Sequence, residues 1–382
     1  MRILIAPDKF KGSLSAREVA DNIANGLHDV LPDAKIDIVP VADGGEGTAE
    51  VICDALHGAW VKCKAHDPLG REIEARYGFI EARKLAVMEM SEAAGMRRLQ
   101  REEYDVDLAN TFGVGEMILD AAKRSANEII IGLGGSATND GGFGMARALG
   151  FRFLDKPEHE MKGKVSDLTK LMRIVAPEEF VGALVPSAHF KERRLAQTPL
   201  QCVAKIVAAV DVRNPLLGKN GATRVFGPQK GAAKDEIDIL EQALAKLADV
   251  VARDLHVDLR DQPGAGAAGG LGFGLMSFCG AKMRPGFDVV AEAVGLESKM
   301  KDVDLVITGE GSLDRQTLEG KAPAGVAQRA RRLGKRVFAI VGRASEDRQA
   351  REIFERVYEL GGSIPEAREL LRQRARELAE AL

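Results

Sequence analysis

Cysteine, aromatic residues and long apolar runs are all scarce in this chain. Its four cysteines, at 53, 63, 202 and 279, include no Cys-x-x-Cys pair, and its six histidines make no ligand spacing with them. That excludes a zinc ribbon and a disulfide framework, and it leaves the thiols as reduced residues of a cytoplasmic protein. No apolar stretch reaches the roughly 18 residues of a membrane span, and the Arg2–Ala6 run is too short for a signal peptide, so no membrane partner is expected. Basic residues (54) nearly balance acidic ones (57), for a formal charge of −3. A chain without a basic field is not a nucleic-acid binder, and an anionic substrate would have to be met by local Lys and Arg.

Glycine is abundant: 41 of 382 residues, gathered in runs with Asp between them. Glycine admits positive φ and lets backbone N–H groups approach a ligand, so these clusters point to phosphate handling more than to a turn-rich β protein. At about 100–200 residues per domain, two domains are expected. The apolar run at 2–6 reads as a buried strand closed by Pro7. Ser15-Ala-Arg-Glu18 is a capping box, and the helix it opens has Val19, Ile23 and Leu27 on one face. A strand at 36–41, a Gly-rich loop and a helix to residue 57 follow. The same grammar returns late, with strands at 303–308, 337–341 and 356–360, a helix at 322–333, and a last helix capped at Ser363.

Together these βα units compose one doubly wound parallel sheet. Between them, strands at 59–65, 73–80 and 85–90 without intervening helices predict antiparallel pairing. A helix near 106–125, a strand at 128–133, a helix near 141–149 and a strand at 204–210 follow, while segment 155–200 is polar and irregular. The chain therefore reads as α/β: residues 1–60 and 286–382 form one discontinuous domain, and a second α/β domain of mixed sheet, residues 61–285, is inserted into it.

In open α/β sheets ligands gather at the carboxyl ends of strands, and here those loops carry Gly with Asp, Glu or Lys. They are Asp8-Lys-Phe-Lys11-Gly-Ser13, Asp43-Gly-Gly-Glu46-Gly-Thr48, Gly134-Gly135-Ser136-Ala-Thr-Asn139-Asp140-Gly-Gly142 and Gly309-Glu310-Gly-Ser-Leu-Asp314, with Lys321 soon after. Gly227-Pro-Gln-Lys230-Gly231 and the side-chain-poor run Pro263–Gly270 join them. Phosphoryl transfer needs a cradle of donors, a divalent metal and a means of orienting the acceptor hydroxyl. Gly loops at helix starts supply donors, carboxylates suit Mg²⁺, and lysines are point charges for phosphate or carboxylate.

Each loop taken singly has a bland reading. Asp43 and Glu46 would be turn and helix-start residues. Asp140, or Asn139, would cap the next helix. Lys9 and Lys11 would be solvated, and Gly264-Ala-Gly266-Ala-Ala-Gly269 would be a packing loop, since no clear strand precedes this GxGxxG. There is no GxxxxGK[ST]. Four polar Gly loops after strands are what turns alone explain poorly.

Six motifs, in order, carry a resemblance: Ala6-Pro-Asp-Lys-Phe-Lys-Gly-Ser-Leu-Ser-Ala16, Pro40–Thr48, Gly132–Gly142, Phe226–Ala232, Pro263–Gly270, and Ile307–Asp314 with Gly320-Lys321. At these residues, over nearly its whole length, the chain resembles the type I glycerate kinase family. Departures are Lys9 where the family usually has Ser, Asn110-Thr111 where it more often has Thr-Ser, Ala209 where Cys is common, and the segment 155–203.

The resemblance implies a flavodoxin-like (Rossmann-like) domain with the second domain inserted, and an active site in the cleft between them. It also implies ATP and Mg²⁺, and glycerate as the substrate with 2-phosphoglycerate as product. On the motif positions, Lys11 with Ser13 and Asp8 would meet substrate carboxylate or transferred phosphate. Asp43 and Glu46 would hold Mg²⁺, and the amides of 134–137 and 264–270 (Gly264, Gly266, Gly269) would cradle nucleotide phosphates. Asp211 or Asp314 would accept the hydroxyl proton, and Lys230 or Lys321 would neutralise phosphate charge, with Ser136, Asn139, Asp140 and Glu310 completing the set. A homodimer is compatible with this reading. The rival readings are a kinase for another small hydroxy acid and a non-catalytic nucleotide- or metabolite-binding protein.

Overall fold

The structure, a computed structural model, describes residues 1–177, 204–315, 321–345, 348–361 and 366–382. It divides into two compact units, Met1–His57 with Pro285–Leu382, and Gly58–Arg284.

Short apolar runs make the strands of the first unit. Five parallel strands stand in the order Arg356–Glu359, Arg336–Val341, Leu305–Thr308, Arg2–Ile5, Lys35–Ile38. Counted within the unit from the Lys35 edge, this is 2-1-3-4-5, the flavodoxin-like order, and the direction of strand addition reverses between Arg2–Ile5 and Leu305–Thr308. Side chains alternate between faces. Ile3, Ile5, Ile307, Phe338 and Ile340 share one buried cluster with Val19, Ile23 and Leu27 of helix Ala16–Val30 and Leu371, Ala375 and Leu378 of helix Ala367–Glu380. Helix Ala322–Arg332 lies outside that cluster and packs on the Leu305–Thr308 and Arg336–Val341 strands.

The first helix starts where its capping box says it should. Ser15 Oγ accepts the Glu18 amide at 3.2 Å, and Glu18 returns a carboxylate oxygen to the Ser15 amide at 2.9 Å. The two helices meet at bare backbone: a Cβ added at Gly26 would stand 2.3 Å from the Arg372 carbonyl oxygen.

The second unit holds a mixed six-stranded sheet ordered Lys282–Pro285, Lys205–Val210, Glu128–Gly132, Leu85–Glu89, Glu72–Ile80, Ala59–His66. Antiparallel pairing holds for the last three, but Leu85–Glu89 is also parallel to Glu128–Gly132, which is in turn parallel to Lys205–Val210. Phe143, Phe153 and Phe278 pack edge to face in its core.

Two expectations need revising. The helix near 106–125 begins only at Phe112, because Asp105 turns its carboxylate onto the amides of Asp107 and Leu108, and Asn110 accepts the Phe112 amide; such local bonds compete with the helix ladder. Segment 155–200 is not irregular where described. Arg152–Lys156, His159–Glu160 and Arg173–Val175 form a small antiparallel sheet, while residues 178–203 lie outside the described residues. The predicted cap Ser363 also lies outside them.

Ser15→Ala should lower the stability of the first unit by about 1 kcal/mol, the usual worth of a side-chain N-cap, measured by urea denaturation. An unchanged midpoint would mean that tertiary packing alone fixes this helix start.

Candidate active site

The reversal point of the first unit's sheet is where its polar loops meet. A cavity of about 610 Å³ opens there, lined by Asp8, Lys9, Phe10, Lys11 and Ser13 beyond the Arg2–Ile5 strand, by Asp43, by Glu310, Gly311 and Ser312 beyond Leu305–Thr308, by Lys321, and by Gly342 and Arg343 beyond Arg336–Val341. Backbone bonds carry the pairing past the strand ends: the Asp8 amide donates to the Gly309 carbonyl at 2.8 Å and the Gly342 amide to that of Glu310 at 3.0 Å. Lys9 reaches across to donate its ammonium to the Glu46 carbonyl, tying the first loop to the second.

The cavity is electrostatically crowded. Burial pushes the Asp8 carboxyl up to about 8, with the neighbouring charges of Asp43 and Glu310 acting in the same direction and Lys9 opposing them. Carboxylates that cannot comfortably share a desolvated site suit a hard divalent cation. Among the described residues no three acidic, His or Cys side chains stand together as a preformed metal cage.

In the second unit the loop after Glu128–Gly132 spends most of its side chains on itself. Asp140, fully buried, accepts the Thr111 amide and hydroxyl and the amides of Gly142 and Gly144, all within 3.0 Å. It ties together the starts of helices Phe112–Lys123 and Phe143–Ala148, and burial raises its pKa against those bonds. Asn139 pairs with Thr223 at 3.0 Å. Lys230 is also buried, donating to the Thr138 carbonyl at 2.7 Å and Ser136 Oγ at 3.0 Å. Desolvation pushes its pKa down to about 7, with Asp140 pulling the other way.

The run Pro263–Gly270 packs against this loop. Gly269 has φ +67°, and a Cβ there would meet the Thr138 carbonyl oxygen at 1.9 Å. The Gly266, Ala267 and Gly270 amides bond within the protein. The amides of Gly134, Gly135 and Ser136 take no protein acceptor among the described residues.

The site residues expected from sequence thus fall into two groups. Asp8, Lys11, Ser13, Asp43, Glu310 and Lys321 share the first unit's cavity, with Asp314 set 3.9 Å from Lys321. Glu46 is exposed and does not line that cavity. Gly134, Gly135, Ser136, Asn139, Asp140, Lys230, Gly264, Gly266 and Gly269 belong to the second unit, where Asp211 stands exposed after the Lys205–Val210 strand. Ser312 and Arg343 line the cavity but were missed, although Val341-Gly-Arg343 repeats the pattern of a strand running into glycine.

The family model for the glycerate kinase family matches residues 3–382. The chain belongs to the glycerate kinase family. Curated relatives include a Halalkalibacterium halodurans protein named glycerate kinase, 40% identical over 99% of this chain and 97% of its own length. An Escherichia coli protein named glycerate 2-kinase is 44% identical over 91% of this chain and 86% of its own. A crystal structure of a Salmonella typhimurium LT2 protein, provisionally named glycerate kinase 2, superposes with a TM-score of 0.85 at 39% identity, covering 100% of this chain and 98% of that one. As a member of this kinase family the chain is an enzyme, and among its described residues no helix is long and apolar enough to cross a membrane.

Within this glycerate kinase family member the buried ammonium of Lys230 makes a titratable prediction. Unfolded, it keeps its proton to its ordinary value of 10.5; folded, it sheds it near 7. Between those values unfolding takes up a proton, so stability rises with pH across this window, and the full burial penalty applies below it. Denaturation midpoints from pH 7 to 10 should therefore climb more steeply in wild type than in Lys230→Met. Parallel curves would show that the ammonium stays protonated throughout.

Proposed function

We propose that the protein transfers the γ-phosphoryl group of ATP to D-glycerate, giving 2-phosphoglycerate, with Mg²⁺. The observation that carries this is the convergence of Asp8, Asp43 and Glu310 with Lys11 and Lys321 in one cavity at the sheet's reversal point, in a chain of the glycerate kinase family. Asp43 with the desolvated Asp8 would hold Mg²⁺, which supplies charge neutralisation at the phosphate oxygens. Glu46, exposed, would act at most through water. Lys11 and Lys321 contribute compact positive charge toward the group in transfer, and Ser13 adds a hydroxyl.

Asp314, beside Lys321, and Asp211 are the two candidate proton acceptors, each an acid that would take the substrate hydroxyl proton as the new O–P bond forms. The amides of Gly134, Gly135 and Ser136, which take no acceptor among the described residues, suit nucleotide phosphate oxygens, while Lys230 and Asp140 hold that loop in shape. Free thiols at Cys53, Cys63 and Cys279 are in keeping with a cytoplasmic reaction.

Purified protein given ATP, Mg²⁺ and D-glycerate should release ADP, and added enolase should report 2-phosphoglycerate. ADP without the enolase signal would move the phosphate to the other hydroxyl. No ADP from folded protein that still binds ATP would leave another hydroxy-acid substrate or a binding role. Asp43→Asn should lower kcat about 100-fold, the scale of losing one preorganised electrostatic contact at the reacting group, and raise the Mg²⁺ needed for half activity. Normal turnover with unchanged Mg²⁺ dependence in Asp43→Asn would sink the metal assignment.

A further inference from the structure

Arg343 lines this cavity with no ion pair to a carboxylate among the described residues. It sits on a two-residue strand, Arg343–Ala344, paired in parallel with Ser312–Leu313. Its amide donates to the Gly311 carbonyl at 3.2 Å, and two residues on the Ser345 amide donates to that of Leu313 at 2.8 Å, so the backbone that carries it is fixed to the neighbouring loop. Its Nε donates to Ser312 Oγ at 3.3 Å. That single anchor aligns the guanidinium and leaves its two terminal nitrogens without a partner among the described residues. Several other arginines are paired: Arg2, Arg71, Arg336 and Arg374 each meet a carboxylate within 3.2 Å.

A planar fork held at one edge and open at the other matches a carboxylate, which it grips through two parallel N–H···O bonds. The cavity's other cations, Lys9, Lys11 and Lys321, are point charges, better suited to a phosphoryl group whose oxygens rearrange during transfer. The geometry points to Arg343 as the residue that binds the carboxylate of a small hydroxy-acid substrate, and so as the residue that separates hydroxy acids from neutral polyols in this cavity. This rests on the proposed kinase reading. Arg343 touches the part of the substrate that does not react, so it governs binding and not the phosphoryl step.

The test measures binding apart from turnover. Calorimetric titration with D-glycerate should show affinity falling about 10–100-fold in Arg343→Gln, the range expected when a charge-assisted bond is removed. In steady state, KM for D-glycerate should rise by the same factor while kcat and KM for ATP stay within about twofold, and the preference for glycerate over glycerol should shrink in proportion. Added guanidinium should restore part of the lost affinity to Arg343→Ala, a recovery that a merely misfolded variant would not show. Equal D-glycerate affinity in wild type and Arg343→Gln overturns the assignment and leaves the kinase reading standing. A rise in KM for ATP with that for glycerate unchanged overturns it too, by giving Arg343 to a nucleotide phosphate. Arg343-dependent glycerate binding by a wild-type protein that transfers no phosphate sinks the kinase reading alone, and no glycerate binding by wild type sinks both.

Discussion

The first unit's site depends on backbone hydrogen bonds that do not stop where its strands stop. Beyond Ile5 and Thr308 the Ala6 amide still donates to Ile307 at 2.7 Å, Asp8 to Gly309 at 2.8 Å, and Val41 to Pro7 at 2.9 Å, while Thr308 Oγ1 donates to the Ala6 carbonyl at 2.7 Å. Each bond is worth little by itself. With the Gly342 amide on the Glu310 carbonyl at 3.0 Å, they hold four loops as extensions of a rigid sheet, so that Asp8, Asp43, Glu310 and Arg343 face one cavity without a dedicated scaffold. A site on element ends is held more closely than one on free loops. The crowding of acids around Asp8 is the electrostatic cost of that fixity.

The sequence was most readable where local chemistry and global packing agree. The Ser15 capping box, the Val19, Ile23 and Leu27 face and the apolar strand runs each specify one structure at both levels, and they recur in place. The order of the five strands was beyond reach of periodicity, since every one is a similar apolar run; it came from the resemblance and from the rule for open α/β sheets. The start of the Phe112 helix was misjudged for the opposite reason. Helical spacing extends back through 106–111, yet Asp105, Asn110 and Thr111 spend their polar groups on turns and on Asp140, and side-chain choices of that kind are invisible to spacing.

Function was less evenly legible. Asp and Lys in Gly-rich loops have two lives, as ligands and as stitching, and composition does not separate them. The first unit's acids face open space, whereas in the second unit Asp140, Asn139 and Lys230 are consumed by internal bonds. Distinguishing these needs burial: Asp8 retains a cavity beside it, but Asp140 has Thr111, Gly142 and Gly144 on its oxygens. Arg343 carries no such signal, because its loop has one glycine and a base where the others combine several glycines with acids.

The discontinuity of the first unit shapes how the chain can be made. Helix Ala16–Val30 leaves the ribosome well before the helix that covers its apolar face, Ala367–Glu380, with the whole second unit between them. At about 5–20 residues per second, roughly 20–70 seconds separate them, an interval in which residues 58–284 can close on their own core while Val19, Ile23 and Leu27 remain open to water or to a chaperone. A ribosome that stalls or a message truncated before residue 367 would therefore release not a shorter enzyme but a finished second unit carrying a sticky, half-built first one, which proteolysis is well suited to find.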